Sequence, residues 1–107
     1  MSIFALRLKE ARLAAKLSQE ALGVLSGIDE ASASARMNQY EKGKHQPDFS
    51  VVERIAMALN LPAAYFYAVE DDEATLLKRF YRLNTDGKQR LMKAAAELPE
   101  SMDETSS

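Results

Sequence analysis

The chain has no cysteine, no tryptophan and a single histidine, with only four glycines and three prolines. Without cysteine there can be no disulfide and no thiolate metal site, and a reducing compartment is permitted. With one histidine besides, a structural zinc site lacks a ligand set. No apolar run approaches the roughly 18–20 residues of a membrane helix. The N-terminus mixes apolar with basic residues and lacks the apolar block of a signal peptide. A cytoplasmic location away from membranes is therefore the expectation. A glycine-rich phosphate loop is missing, as is a Ser or Cys nucleophile in a recognisable setting. No catalytic residue, metal ligand or cofactor is assigned, and the chain is not expected to be an enzyme.

What is present is a 107-residue chain that is 47% hydrophobic, enough for one modest core. The net charge of −2 is acidic for a nucleic-acid binder, but the charge is unevenly spread. Residues 1–47 carry seven Lys/Arg against five acids, a net +2, and residues 48–107 carry seven against eleven, a net −4. A locally basic face can hold phosphate while the rest of the chain is acidic.

Helical periodicity runs through the sequence, and neither a β pattern nor an internal repeat interrupts it. Residues 3–16 form a first helix with Ile3, Leu6, Leu13, Ala14 and Leu17 expected as its core stripe. Ser18 caps a second helix from Gln19 to about Leu25, with Ala21, Leu22 and Leu25 expected inward and Gly27 at its end. A third helix carries Met37 and Tyr40 inward and stops at Lys42-Gly43. Asp48 caps a fourth, from Phe49 to about Leu59, with Val52, Ile55, Ala56 and Leu59 as its core stripe and Asn60 at its end. Pro62 opens a short fifth, from Ala63 to about Ala68.

The acidic stretch 69–73 is the best boundary. Three adjacent acids at a helix start read as a solvated cap. Two amphipathic helices follow, at about 72–82 and 86–98, separated by Asn84-Thr85-Asp86-Gly87. Residues 1–70 are thus expected as one unit, 71–98 as a helical hairpin and possible dimerisation element, and 99–107 as a disordered tail.

Residues 5–66 resemble the phage-repressor type of helix-turn-helix domain, the Cro-like or XRE-type family. The resemblance is carried by Arg7-Leu8-Lys9 and Arg12, by Leu17-Ser18-Gln19-Glu20-Ala21-Leu22, and by Asn38-Gln39-Tyr40-Glu41-Lys42-Gly43. Pro47-Asp48-Phe49, Ile55-Ala56, Ala58-Leu59, Leu61-Pro62 and Phe66 follow in the same order. It implies an all-α fold: a five-helix lambda-repressor-like helix-turn-helix domain plus the C-terminal helical hairpin. It also implies a third helix in the major groove of double-stranded DNA, with the second helix across the backbone.

On that resemblance Ser34, Ala35, Arg36, Asn38 and Gln39 are the candidate base readers. Arg suits guanine, Asn and Gln suit adenine, and small residues permit close approach. Ser18, Gln19, Lys42, Lys44 and His45 are the candidate phosphate ligands. Arg12 and Glu41 match a structural ion pair.

One spacing departs from the family. Gly27 and Glu41 lie about four residues farther apart than usual, and the excess falls in Asp29–Ser32. Four residues are about one helical turn, so the insertion either extends the third helix backward or lengthens the turn. The longer turn, with Ser32 as N-cap, is the expectation.

The implied function is a sequence-specific transcriptional regulator, a repressor that occupies an operator as a homodimer. Two rivals are the antitoxin of a toxin–antitoxin module and a protein-interaction module that has lost DNA binding.

Overall fold

Four of the helices stop in the same way. In the computed structural model, which describes residues 2–101, α1 (Ile3–Ala14), α2 (Gln19–Leu25), α3 (Glu30–Glu41) and α4 (Phe49–Leu59) follow one another. Each ends on a residue of positive φ: Lys16 at 60°, Gly27 at 88°, Gly43 at 72° and Asn60 at 56°. The next N–H then reaches back over the last turn, from Leu17 to Arg12 O, Ile28 to Gly23 O, Lys44 to Gln39 O and Leu61 to Ala56 O. These closures satisfy carbonyls that the helix itself leaves open. A 3₁₀ turn, Ala63–Tyr67, completes a five-element body, followed by α5 (Asp71–Arg82) and α6 (Thr85–Glu97). No strand occurs among the described residues. Of the expected disordered tail, residues 102–107 lie outside them.

The core gathers Leu8, Leu22, Met37, Val52, Ile55 and Phe66, all fully buried. Phe4 packs on Phe66 with ring centroids 5.7 Å apart. The face that α1 buries is not the expected stripe. Its buried face is Phe4, Ala5, Arg7, Leu8 and Ala11, while Leu6 and Leu13 are exposed, Leu13 at 55%. Apolar residues occur on most sides of α1, and the register that wins turns Arg7 inward. Leu25, expected inward, is 61% exposed.

Arg7 explains why that register is tolerable. It is 2% exposed, yet its donors are used. Nε donates to Ala68 O at 2.9 Å and Nη2 to Val69 O at 3.1 Å. Nη1 donates to Glu10 at 3.1 Å and Asp71 at 3.0 Å. Burial works against its charge, but the hydrogen bonds to Asp71 and Glu10 outweigh that and hold its pKa above the ordinary value. α1 is thereby tied to the junction that leads into α5.

At its far end α5 is tied again. Arg82 donates to Asn60 O at 3.0 Å and to Leu59 O at 3.1 Å, on the last carbonyls of α4. Ala74 is its one fully buried residue. α6 packs on α5 and buries no residue completely. Leu76, Met92 and Leu98 stay exposed, and the molecule is elongated, 52 × 32 × 23 Å.

Candidate nucleic-acid interface

The insertion after Gly27 is helical. α3 begins at Glu30, one turn earlier than a lengthened loop would allow, and Asp29 is its N-cap, Oδ2 accepting from Ala31 N–H at 3.2 Å. This overturns the expected long turn with Ser32 as cap. Asp29 is itself a strong cap residue, and Ala31, Ala33 and Ala35 favour helix over turn. Ser34 and Ala35 consequently sit in the second turn of α3. Both are exposed.

The face that α3 buries is Ala33, Met37, Tyr40 and Glu41, at the spacing of one helical stripe. The opposite side therefore carries Ala31, Ala35, Gln39 and Lys42, all exposed, with exposed Arg36 at its edge. Arg36 and Gln39 line an open cleft of about 380 Å³ together with His45, Gln46, Pro47 and Asp48. Lys42, Lys44 and His45 are exposed in the segment after α3, next to Gly43.

On the α2 side, Ser18 Oγ accepts from Ala21 N–H at 3.0 Å and caps that helix. The other early N–H groups of α2 have no partner within the helix and are suited to an anion. Gln19 turns toward α3. Its Nε2 donates to Asn38 Oδ1 at 3.2 Å and to Glu41 Oε1 at 3.1 Å. Arg12 grips the same carboxylate with two nitrogens, Nε to Oε2 at 2.5 Å and Nη2 to Oε1 at 3.1 Å, while Nη1 donates to Leu17 O at 2.9 Å. Glu41 is only 4% exposed, so its charge is met by a bidentate arginine and an amide. Arg12, Gln19, Asn38 and Glu41 thus form one network joining α1, α2 and α3.

The predicted residues are spread over α3 and its surroundings. Arg36, Gln39 and Ala35 are exposed on the outer side of α3, and Ser34 is exposed nearer the α2 side, on the line of Asn38 and Glu41. Asn38 is half-buried, with its carbonyl oxygen taken by Gln19, and points to the α2 side. Ser18 lies on one flank of α3, and Lys42, Lys44 and His45 on the other.

Three residues that shape this face lay outside the sequence expectations. Arg7 buttresses the body. Arg54 Nε donates to Ser26 O at 2.9 Å, fixing the end of α2 to α4. Gly23 is buried in the middle of α2 against Ala33. A glycine inside a helix was the available signal for the last. Nothing local marked the two arginines as inward.

A helix-turn-helix domain family model matches residues 3–65. A search of curated proteins finds no match. Among solved structures, the crystal structure of transcriptional regulator BswR is 44% identical, covering 92% of this chain and 95% of that one, with a TM-score of 0.82.

Proposed function

The chain belongs to the helix-turn-helix domain family, and on that footing we propose that it is a sequence-specific DNA-binding regulator of transcription. Its action is that of an XRE-type repressor occupying an operator with α3 in the major groove. The observation that carries this is the layout of one face. Arg36 and Gln39 stand exposed on α3, with the capped start of α2 on one flank and Lys42, Lys44 and His45 on the other. Base-edge hydrogen bonders between two sets of phosphate ligands are what major-groove reading requires. The likeness to a transcriptional regulator over nearly the whole of both chains supports the same reading.

Residues 1–70 serve as the DNA-binding unit and 71–98 as the dimerisation unit in this proposal. Leu76, Leu77, Phe80, Leu91, Met92 and Ala95 line an apolar hollow of about 230 Å³ between α5 and α6. A second copy covering it would bring two α3 helices to a two-fold site. A toxin seated there instead would make this an antitoxin, which a mixed-stoichiometry complex from the native host would reveal. The decisive experiment for DNA reading is selection of bound sequences from a random duplex pool. A palindromic motif is expected, and its two halves should lose enrichment in Arg36→Ala and Gln39→Ala. Recovery of no motif overturns the reading. A reporter behind the selected site should fall in expression, and a rise would replace repression by activation.

A further inference from the structure

We infer that Gly23 is a positioning residue for base selectivity: its missing side chain sets how closely the front half of α3 lies on α2. The inference rests on the reading of α3 as the base-reading helix. Gly23 sits inside α2, where glycine is a poor helix former. Its backbone gives no reason for glycine, since the positive-φ glycines are Gly27 and Gly43. The reason lies across the interface. A Cβ added at Gly23 would stand 2.7 Å from Ala33 Cβ, 3.0 Å from Ala33 O and 3.1 Å from Ala33 Cα. Two of those atoms are backbone, so no rotamer change relieves the contact, and the helix itself must retreat.

Where it retreats follows from how α3 is held. Its rear half is pinned by polar bonds, Gln19 to Asn38 and Glu41, and Arg12 to Glu41. Its front half, from Glu30 to Ala35, makes no comparable bond to α2. There the fit of Ala33, fully buried, against Gly23 takes over. A methyl at position 23 therefore tilts α3 about its rear pin. The tilt moves Ala31, Ser34 and Ala35 most and carries Arg36 with them. Ser18, Gln19, Lys42 and Lys44 stay near the pin. Base contacts are lost while phosphate contacts remain, which a general loss of fold would not produce.

The test uses the full chain as wild type, Gly23→Ala, Ala33→Gly and the double variant. Affinity is measured at one salt concentration for the duplex that wild type selects and for an unrelated duplex. Gly23→Ala should lose about tenfold on the selected duplex, the worth of one base contact, and less than about twofold on the unrelated one. Removing the Ala33 methyl in the same chain should restore part of the loss. An unchanged ratio between the two duplexes, an equal loss on both, or no recovery in the double variant each overturns the inference. Should Gly23→Ala not fold, Ala33→Gly alone loosens the same contact without adding bulk, and an unchanged ratio there is equally fatal. Amide hydrogen exchange gives a readout without DNA. Gly23→Ala should speed exchange over residues 30–35 relative to 37–42, and uniform exchange rejects the tilt. If wild type selects no sequence, the proposed function fails and the selectivity role with it, while the exchange profile still decides whether Gly23 seats the front half of α3 on α2.

Discussion

The helix-turn-helix body and the α5–α6 extension end their helices differently. α1 to α4 each close on a left-handed residue, with the following N–H bonded back over the last turn. α5 and α6 end on extended residues, Leu83 at ψ 152° and Leu98 at ψ 136°. The body shares one buried core, with even one arginine inside it, although Leu13, Leu25, Phe49 and Met57 stay exposed on its surface, whereas α5 buries only Ala74 and α6 buries nothing completely. The extension exposes Leu76, Tyr81, Leu83, Met92 and Leu98. Helices that close themselves and share a core need nothing more to hold their shape. Helices that leave a face uncovered, as α5 and α6 do, are a surface on which another molecule gains apolar burial.

A graded set of substitutions tests that contrast. The largest effect is expected from Arg7→Met. It leaves the Ala68 and Val69 carbonyls without their donor and frees the start of α5, at about 3 kcal/mol. Thermal unfolding should drop by more than about 10 °C, and a drop confined to α5 would show that the body does not depend on the clamp. Arg12→Ala comes next at about 2–3 kcal/mol, because Glu41 stays buried with only Gln19 to meet its charge. Glu41→Gln in the same chain should recover part of that in urea unfolding. Loss of DNA affinity with full stability would make Arg12 a DNA ligand instead.

Arg36→Ala and Gln39→Ala touch only the outer face of α3. Each should cost about 1–3 kcal/mol on the selected duplex, with unfolding unchanged. Lys44→Ala should instead weaken every duplex alike and reduce the salt slope by about one. On the extension, Leu76→Asp with Met92→Asp should change folding by less than about 1 kcal/mol, since both are exposed. Sedimentation should nevertheless pass from dimer to monomer, and an unaltered sedimentation coefficient removes the dimerisation role.

The smallest effect concerns the α4 cap. The Asp48 carboxyl is held below its usual pKa, first by the Ser50 hydroxyl and then by the Val51 N–H. A depressed folded value means the cap stabilises above the ordinary aspartate pKa of about 3.9 and is lost as pH falls through the folded value. Asp48→Ala should flatten that part of the acid unfolding curve, and a parallel curve would deny the carboxylate any part in it.

Much of the fold could be read along the chain because its signals are local. Ser18 and Asp48 as caps, Gly27, Gly43 and Asn60 as stops, and the stripe Val52, Ile55, Ala56 and Leu59 all act within a turn or two. Lys16 gave no such notice: its left-handed conformation is imposed by the bond from Leu17 to Arg12. The register of α1 was hidden for a tertiary reason, since Arg7 finds its acceptors some sixty residues away. At the site, Arg36 and Gln39 were visible as an exposed pair by counting back from Glu41. The start of α3 was not, because one extra turn of helix and four residues of loop have the same length in sequence.

The two-point anchoring of α5 has a mechanical consequence. With Arg7 at one end and Arg82 at the other, α5 moves as part of the body. The chain turns at Leu83–Asn84, and α6 is the arm beyond it, laid back on α5 with Lys88 over the Phe80 and Tyr81 rings. An arm of thirteen residues is about 20 Å long, so a swing of about 5° displaces its tip by about 2 Å. That is more than half the rise of one base pair. If two copies join through α5 and α6 as proposed, the angle of this one turn enters the distance between their two α3 helices.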